Sequence, residues 1–379
     1  MEFATWAYPW DILDEGPRTT VEQLRDLGIG EINLATNYHA VQTFSPRNPD
    51  RKTHFAHASS YFQPDDRYGT LAPTPYEGMD GDWVADITRQ IDDLRLTSWT
   101  IGCHNSRLGM ANPDVTLESP FGDDLIFGLC PSHPAVQAYL RALVGDLADR
   151  EKFDRIELET FDYFYGTGFG WHHQKIHAEL GTLGEFLFGL CFCEHCRGHA
   201  AAADVDVTQA RDTAVNTIKD LIAGRLPADT PPDQWLRQHP QVGAYVDVRE
   251  DVLVDLYADL AAASGTTPLG YYVGMPEPGR EWIAGVDLDR IAHHVDYYCL
   301  PAYESSRDTV LNAYRTVDAF ISDIPLHVGL LPGHPAIHDG ATVSNILDGL
   351  QRADVPRVSF YNYGLLPEQS LNWIEAAIQ

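Results

Sequence analysis

The chain has 379 residues, with 55 acidic against 26 basic side chains, a formal charge of −29, and 44% hydrophobic and 11% aromatic residues. That balance excludes nucleic-acid binding driven by charge, because a polyanion would be repelled rather than held by counterion release. No apolar run approaches the ~20 residues of a membrane span. Only Lys52, Lys152, Lys175 and Lys219 are lysines, so the expected surface is of the halophilic type, on which hydrated carboxylates are screened by salt. The opening MEFATWAYPW lacks a basic stretch ahead of an apolar one, and a cytoplasmic location is expected.

Residues 3–8 read as a first strand and 20–27, TVEQLRDL, as a short helix with a Thr-x-x-Gln start. The next strand, 31–36, ends in Asn37-Tyr38-His39, and 40–80 then runs without periodicity as a long, aromatic, ordered loop. A helical pattern over 82–94 precedes a strand over 98–103, which ends in His104-Asn105. Residues 134–148 form a helix opened by proline, and 155–159 a fourth strand. A Gly/aromatic/His stretch at 166–177 carries Trp171, His172 and His173, and helical segments follow over 183–190, on through 222, and over 244–263. Apolar runs at 269–273, 295–300, 326–330 and 358–361 complete eight strands, with helices over 307–321, 343–353 and 367–378. The link over 274–294 lacks a convincing helix. Eight strands alternating with helices, each ending in polar or aromatic residues, predict a (β/α)8 TIM barrel with a long insertion after strand 4 and its site at the C-terminal face. No repeat or linker calls for a second domain, so residues 1–379 read as one elaborated barrel whose insertion, about 166–265, carries the cysteines.

Strand four and its tip, DRIELETFDYFY over 154–165, concentrate the acids. With Ile156 and Leu158 on one face, the two-residue period puts Glu157 and Glu159 on the other, and Asp162 follows. Buried neighbouring carboxylates are paired, metal-bound or working, since desolvation penalises the charged form. An arginine supplied by the barrel wall is the alternative that would leave them structural.

Cys191, Cys193 and Cys196 fall within six residues, in LCFCEHCR, and in a cytoplasmic chain such clustering indicates a thiolate metal site rather than disulfides. Tetrahedral zinc wants a fourth ligand, and Cys130, in LCPSHP before the 134–148 helix, is the candidate. His195 or His199 in place of one thiolate, or unligated buried cysteines, are the alternatives. Cys103 and Cys299 end strands and read as core residues.

Over roughly residues 128–197 the chain resembles glycoside hydrolase family 42, the β-galactosidases, in the order of its parts. These are a Cys-Pro-x-x-Pro turn, an acid ending strand four, and a Cys-x-Cys-x-x-Cys cluster. The resemblance implies a structural zinc on Cys130, Cys191, Cys193 and Cys196, and Glu159 as catalytic acid/base. It also implies an Asn before that Glu, where this chain has Leu158, leaving Asn37, Asn105 or Asn362 to take its role. A nucleophilic Glu ending strand seven is implied as well, whereas this strand reads PLHVGLLPGH with no carboxylate before Asp339. Glu304, after strand six, and Asp162 are the remaining candidates for a second carboxylate, with Glu304 or Asp162 as base of an inverting reaction. Substrate-binding candidates at the strand tips are Asn37, His39, His104, Asn105, Glu157, Trp171, His172, Tyr303 and Asn362, joined by aromatics such as Trp6, Tyr8, Trp10, Tyr38 and Tyr361.

The leading expectation is therefore a glycoside hydrolase-like enzyme acting on a small-molecule or oligosaccharide substrate, with homo-oligomerisation left open. Two alternatives stand beside it. One is a barrel that binds carbohydrate without turnover. The other is a metal-dependent barrel using His39, His104, His172 or His173 with Glu157 and Glu159, which lacks the usual His-x-His or His-Glu-x-x-His spacing.

Overall fold

The computed structural model describes residues 1–150, 152–163, 177–274, 279–321 and 324–379. Eight parallel strands close into a barrel. They are β1 (Glu2–Ala7), β2 (Glu31–Tyr38), β3 (Arg95–Ile101), β4 (Arg155–Glu159), β5 (Leu269–Tyr272), β6 (Tyr297–Pro301), β7 (Leu326–Leu330) and β8 (Arg357–Phe360). Each pairs with its neighbour in sequence, and β8 returns to β1 with Phe3 opposite Val358. The (β/α)8 expectation holds, and every expected strand lies within three residues of its observed position.

The strands read as continuous apolar runs because both of their faces are covered, one by the barrel interior and one by helices. All eight positions of β2 are buried. Outer-layer helices start where the sequence supplies caps: Asp82 accepts from Ala85 N at 2.8 Å, and Asp339 accepts from Thr342 N at 2.8 Å. The helix Pro134–Ala148 occupies the predicted residues and packs against Pro240–Ser264. That long helix leads directly into β5. The excursion after β4 contains the helices Gly181–Gly189, Glu194–Ala202, Val207–Ile222 and Pro232–Gln238. Between β5 and β6 the described residues hold a 3-10 turn, Glu281–Ala284, and one turn of helix, Leu288–Ile291, in line with the weak pattern there.

Two hairpins were not foreseen. Val41–Phe44 pairs with Thr53–Ala56 inside the expected long loop, and Thr116–Glu118 pairs with Asp124–Leu129 after β3. Among the described residues, no helix is long and apolar enough to cross a membrane.

The barrel floor is charged. Glu31, fully buried, lies 3.0 Å from Arg155, 3.0 Å from Arg357 and 3.4 Å from Arg95. The strand-four carboxylates are higher in the barrel. Arg357 acts on Glu157 through its charge but makes its hydrogen bond to Asn33. The wall arginine weighed for strand four thus sits against Asn33 and Glu31 and reaches Glu157 through its charge.

Candidate active site

At the C-terminal mouth of the barrel a cavity of about 410 Å³ opens around the tip of β4. Its wall is aromatic, with Tyr8, Tyr38, Trp99, Tyr272, Tyr303 and Tyr361 supplied by the ends of five strands and the segment after β6. The rings brace one another. Tyr38 meets Trp99 edge-on at 4.6 Å, Tyr303 lies 5.4 Å from Tyr361, and the hydroxyls of Tyr272 and Tyr303 are 3.1 Å apart. Such surfaces present flat apolar faces with hydroxyls at their rims, the composition that suits a sugar ring with one C–H face and polar edges.

Among the described residues, the carboxylates lining this cavity are Glu159, Asp162 and Glu304. Glu159 ends β4 half-buried, and the indole Nε1 of Trp99 donates to it at 2.5 Å. Burial raises its pKa to about 7 against the lowering pull of that indole, and Glu157 and Asp162 add a smaller upward push. Like-charge repulsion is therefore secondary to desolvation. Asp162 accepts from the Tyr271 hydroxyl at 2.8 Å, and burial lifts it to about 6 while Tyr271 and Arg249 pull it down. Glu304 stands exposed at the rim. Glu159 can hold a proton near neutral pH, and Asp162 is largely ionised there, a pairing of acid and base.

Between the two sits Thr160 at φ +52°, a left-handed conformation that a β-branched residue rarely adopts. Its Oγ1 is buried without a hydrogen-bond partner among the described residues, although the side chain lines the cavity.

The other expected contacts divide. His39 and Tyr303 line the cavity, with His39 stacked at 4.5 Å on the buried His104. Glu157, His104, Asn37, Asn105 and Asn362 are not on its wall. Glu157 lies below, accepting from Trp6 Nε1 at 3.1 Å. Asn37 donates to Ile101 O at 2.6 Å and to the Tyr139 hydroxyl at 3.2 Å. Asn105 caps the helix Ser106–Ala111 by accepting from Leu108 N at 3.0 Å, and Asn362 accepts from Gly364 N at 3.1 Å. Short amides at strand ends found backbone partners within reach, which satisfies them locally. Trp171, His172 and His173 lie outside the described residues.

Sequence reading missed Trp99, Thr160, Tyr271 and Tyr272. Trp99 was recoverable, since it pairs with Glu157 across β3 and β4 and so shares the inward parity of the acids. The adjacent tyrosines ending β5 were the other signal.

The four cysteines Cys130, Cys191, Cys193 and Cys196 do come together, all buried, with their sulfurs within 4.8 Å of one another. From Cys130 the sulfurs of Cys196, Cys193 and Cys191 lie 3.5, 3.6 and 3.8 Å away. A tetrahedral ion with metal–sulfur bonds of about 2.3 Å sets its sulfurs about 3.8 Å apart, so the group fits a four-thiolate metal site. The backbone N–H of Glu118 donates to Cys191 Sγ at 3.3 Å, a bond that favours thiolate. Neither His195 nor His199 belongs to the group. Cys103 and Cys299 are buried, as expected of core residues, and stand apart from it. Among the described residues no second set of three or more His, Cys, Asp and Glu side chains is placed to hold a metal.

No protein-family model matches this chain, and no curated protein matches it in sequence. Solved structures do. The glycoside hydrolase domain of PgaB (BpsB) from Bordetella bronchiseptica is 13% identical with a TM-score of 0.55, over 100% of this chain and 99% of that one. The β-galactosidase from Bacillus circulans sp. alkalophilus is 13% identical with a TM-score of 0.58, over 100% of this chain and 55% of that one. The β-galactosidase from the psychrophilic Marinomonas ef1 is 10% identical with a TM-score of 0.57, over 99% of this chain and 58% of that one. This chain thus spans little more than half the length of those β-galactosidase chains. Likeness at this level of identity establishes the barrel fold.

Proposed function

We propose that the chain is a glycosidase, hydrolysing a glycosidic bond at the barrel mouth with Glu159 as general acid. One observation carries this reading: a carboxyl held protonated near neutral pH by burial, at the tip of β4, in a cavity walled by aromatic rings. Glu159 would protonate the departing oxygen while charge develops at the anomeric carbon. Asp162, the more acidic of the two carboxyls, would take the proton of an attacking water in an inverting reaction, with Glu304 at the rim as the other candidate base. Support for inversion comes from β7, whose residues contribute nothing to the cavity wall.

The fold neighbours are glycoside hydrolases by name, and the order of Cys-Pro-x-x-Pro turn, strand-four acid and cysteine cluster supports kinship with family 42. A zinc ion is the natural occupant of four buried thiolates. Bound there, it would tie the excursion after β4 to the segment before Pro134–Ala148, with no open position for chemistry.

A screen of aryl glycosides and oligosaccharides, run in low and high salt, tests the activity. Oligosaccharide hydrolysis that falls by orders of magnitude in Glu159→Gln supports the assignment, and proton NMR of the first-formed anomer tests inversion, which a retained configuration would refute. Trp99→Phe removes the indole donor that lowers the pKa of Glu159. The basic limb of the pH–rate profile should then move to higher pH, and an unmoved limb would mean that another group sets it. Binding of oligosaccharides with no turnover of any would favour the non-catalytic carbohydrate-binding barrel.

A further inference from the structure

Asp162 is on the cavity wall, but the residue after it points into the protein. Glu159 is the last residue of β4, Thr160 turns the chain at positive φ, and Asp162 lies beyond the barrel ladder. One side of its carboxylate is fixed by the Tyr271 hydroxyl. What fixes the backbone that carries it is Tyr163. Tyr163 is fully buried, and its N–H donates to Ala284 O at 3.0 Å. The ring rests on Gly285, where a Cβ would come within 2.7 Å of Cδ2, so the fit admits no side chain there. Its hydroxyl lies 2.6 Å from Ser132 Oγ, and Ser132 Oγ lies 3.3 Å from Cys196 Sγ.

A second link reaches the same place from the helix Pro240–Ser264. The buried guanidinium of Arg249 sits 4.3 Å from the centre of the Tyr163 ring, and its Nη2 donates to Ile283 O at 3.4 Å. Its Nε and Nη1 have no hydrogen-bond partner among the described residues. A buried cation left this poorly paired is costly unless an aromatic face and a nearby carboxylate offset it, and its charge acts on Asp162.

We infer that Ser132 and Tyr163 are positioning residues that carry the rigidity of the four-cysteine centre, through a thiol–hydroxyl–phenol chain, to the Asp162 carboxylate on the cavity wall. The inference rests on reading Asp162 as a working group of the proposed site. It gives the cysteine centre a task beyond stapling the excursion: the same bonds that close the metal site hold the turn after β4 in register with Arg249 and Tyr271. Carboxylates borne on loops need such support, because a displacement of about 1 Å costs up to ~10²-fold in rate.

Tyr163→Phe and Ser132→Ala each break the chain by one oxygen and leave the cysteines intact. The direct readout is a 13C-carboxyl NMR titration of Asp162, assigned with Asp162→Asn, alongside metal content by elemental analysis. The groups facing this carboxylate are Tyr271, Tyr257, Arg249, Cys103 and Glu159. Loosening the ring loosens Arg249, the cation whose pull lowers the midpoint, so the midpoint should rise from about 6 in both variants with metal retained. On a hydrolysed substrate kcat should fall roughly 10- to 100-fold with KM little changed, and the acidic limb of the pH–rate profile should move up. The double variant should be no worse than the poorer single one. Should Tyr163→Phe fail to fold, Ser132→Ala carries the test alone. An unmoved Asp162 midpoint in a folded, metal-loaded variant overturns the inference. The titration needs no substrate, so failure to find hydrolysis would count against the proposed function and leave this result standing.

Discussion

Glu159→Gln is expected to lower turnover by about 10²–10⁴-fold on substrates with poor leaving groups, and by much less on activated aryl glycosides, which depart without protonation. The amide keeps the size of the acid and can still meet Trp99, so binding should survive while the proton is lost. Stability gives an independent reading. The folded pKa of Glu159, about 7, lies above its ordinary 4.5, so between those values the native protein holds a proton that the unfolded chain has released. Its contribution is therefore fully present below about 4.5 and is lost as pH rises through about 7. Glutamine carries no such loss. At pH 8 the variant should be more stable than the parent by roughly 1–3 kcal/mol, with little difference at pH 4, as measured by denaturant unfolding at both values. A slower and more stable variant is the signature of a buried working acid, whereas an undiminished rate on a confirmed substrate would end the role of Glu159.

Much of this arrangement was legible in the sequence, for specific physical reasons. The strands of a parallel barrel are covered on both faces, so 326–330 or 269–273 stand out as apolar runs between polar segments. Glu157 and Glu159 are conspicuous because a carboxylate on alternate positions of such a strand has no solvent to face. The four cysteines were readable because thiolate sites need close spacing, and 191–196 supplies three ligands within six residues.

What stayed hidden was the third dimension of each contact. Nothing in the local sequence says that Asn37 will reach Ile101 O rather than a ligand, or that Asn105 will cap the next helix, because such bonds depend on register with a neighbouring strand or on the first turn that follows. The relation of Arg249 to Tyr163 joins residues 86 positions apart, with no periodicity to announce it. The distinction between Glu159 and Asp162, two acids three residues apart, arises from what packs on them: an indole from β3 on one, a phenol from β5 and a guanidinium on the other. Chemistry was visible by residue type. Division of labour needed the fold.

Cys193→Ser carries the second large effect expected. Four buried sulfurs at this spacing offer a dication a closed site, and in the absence of a ligand the remaining thiols are penalised by burial, which raises Cys130 and Cys191. Serine at 193 removes the thiol that its three neighbours best stabilise as thiolate. Elemental analysis should find one zinc ion per chain in the parent and a metal content near zero in the variant. Because binding and folding of the excursion share one free energy, Tm should drop by about 5 °C, the equivalent of a few kcal/mol in a domain of this size. Chelator treatment of the parent should reproduce both changes, and zinc should restore the parent but not the variant. The barrel itself, whose ladder closes without the cysteines, should keep its far-UV circular dichroism at low temperature. Retention of both the full metal content and the parent Tm in Cys193→Ser would remove the site from the structure's account of its own stability, and would leave the Ser132–Tyr163 contact as ordinary packing.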